Sequence, residues 1–404
     1  MLGDVFPWVE ERLGRAGAVG VVALDASPLL KVEGFYGEDA FFDCFDRLAA
    51  VLREVLGDRL GREDLIVRGE LGRAEVLAFL FRSRDTVGFY DRELFEISAA
   101  VGETLERQAG RLFYPYLRRP AKVSHGVASG FRNPIYSPAT QIRNALEAAR
   151  ADADLNARME VRQQRSDLIG VVLNRQIHSV YEPIVDAKTL TVFGYEALAR
   201  GPVGTPLAAP LALFARAEEQ GLVFELDCLC RQAGLAGAVD FPEDTKLFLN
   251  IRPSAFHDPG FQPDELIRTL ERCQLMPSDV VFEISEQESI ENFTTFREAR
   301  EEYGKLGFQF AMDDTGAGYS SFESVLELRP EFVKVDRAFC AGIAEDPARQ
   351  AILLGFQSIA ERIGARIIGE GLDTMEELQM LAQLGVPFGQ GWLFGKPHPL
   401  RTDT

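Results

Sequence analysis

The stretch FQFAMDDTGAGYSSF, Phe308 to Phe322, runs apolar, meets two adjacent aspartates, Asp313 and Asp314, and then turns through Gly316 and Gly318. Successive side chains of an extended segment point to opposite faces. Gln309, Ala311 and Asp313 therefore share one face, and Phe308, Phe310 and Met312 the other. The same event recurs through the second half of the chain, where an apolar run ends in a polar residue and a helical pattern follows. "TVFGYE" ends at Glu196, "KLFLN" at Asn250, "VVFE" at Glu283, "EFVK" at Lys334, "ARIIGE" at Glu370 and "VPFGQ" at Gln390. Strands alternating with helices in this way predict a (β/α) barrel, whose catalytic groups sit at the C-terminal ends of different strands. All seven strand ends are then expected to face one mouth.

That mouth would hold a demanding set of groups. Taken singly, an acid followed by glycine after a strand is ordinary turn chemistry. Five acids on one rim, namely Glu196, Glu283, Asp313, Asp314 and Glu370, repel one another unless a cation joins them. With the amide of Asn250 they form a hard oxygen donor set suited to Mg²⁺ or Mn²⁺. Adjacent aspartates at a strand end match a site for two divalent ions, one carboxylate bridging both. An ammonium at Lys334 suits an attacking water or a phosphate oxygen, besides simply pairing with the acids.

Composition narrows the field further. The chain has 404 residues, enough for two domains, and a formal net charge of −19 that argues against tracking long nucleic acid. Its five cysteines are odd in number and form no CxxC pair, as expected of reduced thiols in a reducing compartment. The four histidines lie far apart, so any metal here relies on oxygen ligands. The longest apolar run near the N-terminus, Ala16 to Leu24, lies between Arg15 and Asp25 and is too short to span a bilayer. A cytoplasmic protein without a membrane span is the expectation.

The first half has a different rhythm. "AVGVVALD" and "VLAFLF" (Val76 to Phe81) read as buried strands, with an amphipathic helix over Phe41–Leu56 between them. An α+β domain over residues 1–138 follows. Residues 139–168 read as a helical connector, one helix or a pair, with Ile142, Leu146, Leu155 and Met159 at helical spacing. The barrel takes 169–404, and the boundary falls near residue 165.

The second half resembles the EAL domains, metal-dependent phosphodiesterases of cyclic di-GMP. Glu196-Ala197-Leu198 stands in "YEALARGP", and "LFLNIRPSAF", "FEISEQES", "DDTGAGYSSF", "FVKVD", "GEGLDT" and "GQGWLFGKP" follow in the family's order. The resemblance implies two divalent cations, with Glu196, Asn250, Glu283 and Asp313 on one and Asp313, Asp314 and Glu370 on the other. It also implies that Lys334 contacts the catalytic water or the scissile phosphate, and that Glu370 is the other candidate to activate that water. Arg200 matches a substrate-phosphate arginine, Gln390 a glutamine near the metal-bound water, and Glu286 a residue anchoring the loop after Asp313. A homodimer through the barrel is implied as well.

Four positions depart from the family: Thr315 replaces a phenylalanine, Asp373 a glutamate tied to the loop, Glu182 a glutamine and Gly201 a tryptophan. The first half is similar to a degenerate GGDEF domain. Its signature positions are Gly72, Arg73, Ala74, Glu75 and Val76, with Asp25 retained and Ser27 in place of a second acid. No cyclase activity is expected of it. The implied function is hydrolysis of cyclic di-GMP to linear pGpG. The alternatives are a receptor that binds the dinucleotide and signals through a partner, and a phosphodiesterase of another cyclic dinucleotide.

Overall fold

Alternation on both faces explains the first sheet. A computed structural model describes the chain except residues 71–72, 118–121, 286–287, 289–292, 316–320 and 401–404, and the side chains of residues 28, 314 and 321–324. It divides into two compact units, Met1–Gln164 and Arg165–Thr404. In the first, β1 (Gly17–Asp25), β2 (Leu65–Arg68), β3 (Glu75–Ser83) and β4 (Ser124–Phe131) form an antiparallel sheet in the order β2-β3-β1-β4. Val22, Leu24, Ala78 and Leu80 face the helices Glu38–Leu56 and Leu94–Leu112. Val19, Val21, Leu77 and Phe79 face the helix Leu2–Ala16 and the first half of the helix Pro138–Leu173. A strand covered on both sides reads as a continuous apolar run, which is why β1 and β3 are plain in the sequence.

Edge strand β4 is not plain, because glycines interrupt it. Gly126 is required there: a Cβ would stand 2.2 Å from the backbone nitrogen of Ala153 and 2.4 Å from the Ala149 carbonyl oxygen. The strand and helix backbones touch, leaving no room for a side chain. That helix is one continuous element of 36 residues. Ile142 and Leu146 are buried as expected, whereas Leu155 and Met159 are exposed. Apolar spacing alone does not say which turns are covered.

The second unit is a closed eight-stranded barrel in the order β10-β11-β12-β5-β6-β7-β8-β9. Its strands are β5 (His178–Asp186), β6 (Val192–Arg200), β7 (Lys246–Asn250), β8 (Val280–Ser285), β9 (Gln309–Thr315), β10 (Phe332–Val335), β11 (Arg366–Gly369) and β12 (Phe388–Gln390). All neighbours pair in parallel except at β5, which runs antiparallel to both β6 and β12. The sequence reading marked the ends of seven of these strands and passed over β5. It also placed several ends too early, since β6 continues past Glu196 to Arg200, β8 past Glu283 to Ser285, β9 past Asp313 to Thr315 and β10 past Lys334 to Val335.

Inside the barrel lies one apolar layer made of Ile184, Phe248, Val281, Ala311, Phe332, Ile368 and Phe388, with Phe193 against it. Phe308, Phe310 and Met312 belong instead to the larger core between the barrel and its helices. The two faces of the opening stretch separate as alternation requires. Among the described residues no helix is long and apolar enough to cross a membrane.

Candidate active site

Two residues beyond the apolar layer on each strand, the inward face turns polar. Phe248 leads to Asn250, Val281 to Glu283, Ala311 to Asp313, Phe332 to Lys334, Ile368 to Glu370 and Phe388 to Gln390. On the reversed strand β5 the same step runs backwards, from Ile184 to Glu182, which pairs across the ladder with Glu196. A period of two puts every one of these side chains on the inward face at one level. The site is therefore a polar layer stacked on an aromatic floor.

Lys334 is its centre. The fully buried ammonium lies 2.8 Å from Glu370 Oε1, 2.9 Å from Glu196 Oε2, 3.0 Å from Glu283 Oε1 and 3.2 Å from Asp313 Oδ1. Gln390 Nε2 donates to Glu196 Oε2 at 2.7 Å, and Asn250 Nδ2 donates to Glu196 Oε1 at 3.1 Å. Burial opposes ionisation of Glu196, but Lys334 and these donors outweigh it and hold the carboxyl below its ordinary range. For Glu283 the balance reverses: burial and the Glu196 charge push it well above that range, against the pull of Lys334. Burial likewise pushes Glu370 up to about 8, Lys334 opposing and Asp313 and Glu196 adding. Lys334 is disfavoured by burial, yet the four carboxylates raise its pKa well above that of a free lysine.

Formal charges do not cancel here. One ammonium faces four carboxyl groups, and burial pushes two of them, Glu283 and Glu370, toward their neutral forms. Glu283 Oε2 and Gln390 Oε1 are buried and accept no hydrogen bond among the described residues, while Glu283 Oε1 and Asp313 Oδ1 face only the Lys334 ammonium, at 3.0 and 3.2 Å. Buried acceptors without donors are costly, and hard oxygens in surplus negative charge suit a divalent cation. The donor chemistry fits such an ion. Among the described residues no three acidic, histidine or cysteine side chains are already disposed around one ion position. The carboxylates converge on Lys334 Nζ, so an ion entering the layer has to compete with the ammonium for them.

The structure thus brings Glu196, Asn250, Glu283, Asp313, Lys334, Glu370 and Gln390 into one layer. Asp314 lies within β9, and its side chain is outside the description. Glu286 lies outside the described residues. Arg200 is half-buried near the end of β6, and its Nη1 donates to the Ala199 carbonyl at 2.9 Å. Asp373 pairs with Arg337 at 2.6 Å.

Other groups escaped the sequence reading of the site. Glu182, noted there only as a departure, shares a cavity of about 210 Å³ with Glu196, Glu370, Gln390, Asp336, Arg337, Asp373 and Trp392. Burial and the facing Glu196 raise the Glu182 carboxyl above its ordinary range. The signal for it was the "YEPIVD" alternation, masked by Pro183 in mid-strand.

A closed barrel whose mouth gathers four carboxylates, two amides and an ammonium defines a TIM-like barrel protein with an acidic rim. More particularly, the EAL domain family model matches residues 162–397, and the chain belongs to that family. A probable cyclic di-GMP phosphodiesterase of Escherichia coli K12, PdeG, is 29% identical over 231 residues, 55% of this chain. The uncharacterised protein Rv1354c of Mycobacterium tuberculosis H37Rv is 28% identical over 418 residues, 97% of this chain. The chain spans 45% of the first relative's length and 64% of the second's. Among solved structures, the PaMucR phosphodiesterase in complex with c-di-GMP is 26% identical with a TM-score of 0.52, covering 59% of this chain and 98% of that one.

Proposed function

We propose that the barrel hydrolyses one phosphodiester of cyclic di-GMP to linear pGpG with two divalent cations, Mg²⁺ or Mn²⁺. The observation that carries this reading is the gathering of four carboxylates around the single Lys334 ammonium, with Glu283 Oε2 buried and accepting no hydrogen bond among the described residues. The family gives it context, since relatives carry the phosphodiesterase name and EAL domains are in general divalent-metal dependent. Glu196, Asn250, Glu283 and Asp313 would hold one ion, and Asp313, Asp314 and Glu370 the other. Bound ions lower the pKa of water and stabilise charge on phosphoryl oxygens.

The chain's own groups do the rest. Lys334 neutralises charge at a non-bridging phosphate oxygen. Arg200, a planar fork, orients the phosphate from the rim. Glu370, which lines the layer with its Oε1 2.8 Å from Lys334 Nζ, is the other candidate to activate the attacking water. Gln390 and Asn250 fix the Glu196 carboxylate by donating to its two oxygens.

The first unit, on this reading, is a degenerate GGDEF-like regulatory domain without cyclase activity. Glu75, the acid that survives in its signature, is buried and held by two bonds from Arg150, at 2.9 and 2.5 Å. A carboxylate so engaged is poorly placed to bind a metal.

Incubating the purified chain with cyclic di-GMP and Mn²⁺, then separating products by chromatography, tests the proposal. Linear dinucleotide is expected, absent with EDTA and reduced at least a thousandfold in Glu196→Ala. Binding without cleavage would make the barrel a receptor. Wild-type rates in Glu196→Ala would refute the site.

A further inference from the structure

One acid of the layer stands apart from the rest. Glu182 belongs to β5, the strand that runs against both its neighbours, and the step of two from Ile184 in the apolar layer brings its side chain to the inward face. There it is the direct partner of Glu196 across the antiparallel ladder. Like charges placed opposite each other destabilise a strand pair unless something joins them. Lys334 does not join these two. Its ammonium is within ion-pair reach of Glu196, Glu283, Asp313 and Glu370, and no cation among the described residues lies within that reach of Glu182. Glu182 instead borders the cavity of about 210 Å³, together with Glu196, Glu370 and Gln390. Arg337 lines the same cavity but is joined to Asp373 at 2.6 Å. Gln390 is only 4% exposed, and while its Nε2 donates to Glu196, its Oε1 accepts no hydrogen bond among the described residues. Three acids and an unanswered amide oxygen therefore border one polar cavity.

We propose that Glu182 is a further ligand of a divalent cation, placed in this chain where the family carries a neutral glutamine. This rests on the metal-dependent reading given above, and it extends that reading to a residue outside the implied ligand set. A carboxylate offers hard oxygens with a full negative charge, whereas a glutamine offers one neutral carbonyl dipole, so the exchange strengthens the hold on Mg²⁺ or Mn²⁺. Glu182 is also the one carboxylate of the layer, among the described residues, that an incoming ion does not have to win from the Lys334 ammonium. A cation answered by both Glu182 and Glu196 removes the repulsion that their pairing across the ladder creates. A second role for the same charge makes the opposite prediction. As a bare negative group beside the layer, Glu182 would repel the phosphate of the substrate and leave metal binding untouched.

The experiment compares the full chain with Glu182→Gln, which keeps the size of the side chain, and follows Mn²⁺ uptake without substrate by the electron paramagnetic resonance signal of the free ion. Glu182→Gln is expected to weaken Mn²⁺ binding at one site about tenfold or more, a loss that even the outer partners of metal ligands produce. Thermal unfolding adds a readout that a merely structural role would not move. In EDTA the Glu182→Gln midpoint is expected at or above that of the parent, because the facing charges are relieved, and excess Mn²⁺ is expected to raise it by less than it raises the parent's. A Mn²⁺ affinity within about twofold of the parent in Glu182→Gln overturns the ligand assignment while leaving the hydrolysis reading intact. If KM for cyclic di-GMP also falls in that variant, Glu182 is a charge that repels phosphate. A parent chain that takes up no Mn²⁺ overturns both this assignment and the metal-dependent reading.

Discussion

Lys334 decides more than any other single residue. Its ammonium is the only cation within ion-pair reach of Glu196, Glu283, Asp313 and Glu370 among the described residues. Removing one partner of a buried ionic cluster strands the others and costs about 3–5 kcal/mol. Lys334→Met is therefore expected to lower the denaturation midpoint sharply in EDTA, and Mn²⁺ to restore much of the loss, since a cation would then answer the same carboxylates. Equal losses with and without metal would show that the layer does not attract ions. The sequence announced the members of this layer because each follows an apolar run by a fixed step. It did not announce that an ammonium organises them, since spacing along strands says nothing of which atoms meet across a barrel. Thr315 makes a related point. The sequence marks it only as a substitution, but its hydroxyl is fully buried and bonds to nothing among the described residues.

At the scale of elements, legibility follows coverage. Buried strands β1 and β3 and the parallel strands of the barrel carry long apolar signals. Strand β5 carries a proline, and β4 carries glycines where the Pro138–Leu173 helix presses on it. His125 in β4 reports on that contact. It is half-buried beside Gly102, and burial lowers its pKa below the ordinary 6.5 while Asp152 and Glu160 oppose. A folded state that favours neutral imidazole binds fewer protons than the unfolded chain. Stability is then full above about 6.5 and falls as pH drops below it. The native chain is expected to lose more thermal stability between pH 7.5 and 5.5 than His125→Gln does. Parallel curves for the two would show that burial of this ring has no effect on folding.

The barrel floor offers a second test of an element. Arg366 leads into β11, and its guanidinium carbon lies 4.4 Å from the ring centroid of Phe332, 5.2 Å from Phe193 and 5.4 Å from Phe388. Three rings from three strands thus meet one planar cation at the base of the layer that carries the site. Cation–π contacts of partly desolvated groups contribute about 1–2 kcal/mol. Arg366→Ala is expected to reduce stability by that order in urea unfolding, and Arg366→Lys to recover little, because a compact ammonium cannot stack over all three rings. Full recovery by lysine would mean that charge alone matters there.

For the whole molecule, the division into units has a thermodynamic consequence. The cores of Met1–Gln164 gather around β1 and β3, those of Arg165–Thr404 inside and around the barrel, and no described core cluster draws residues from both. Each unit then has the means to unfold as its own transition. The two tryptophans fall one to a unit: Trp8 lies edge-on to Phe81 in the first, and Trp392 stands at the barrel mouth in the second. An ion that binds only the folded barrel stabilises it by mass action, about 2.7 kcal/mol at a hundredfold excess over Kd. Mn²⁺ is therefore expected to raise the unfolding midpoint read by Trp392 in Trp8→Phe. It is expected to leave nearly unchanged the midpoint read by Trp8 in Trp392→Phe. A common shift of both would mean that the continuous helix Pro138–Leu173, which crosses the boundary, welds the units into one cooperative structure. The first unit would then feel a change of stability in the barrel's polar layer through that helix.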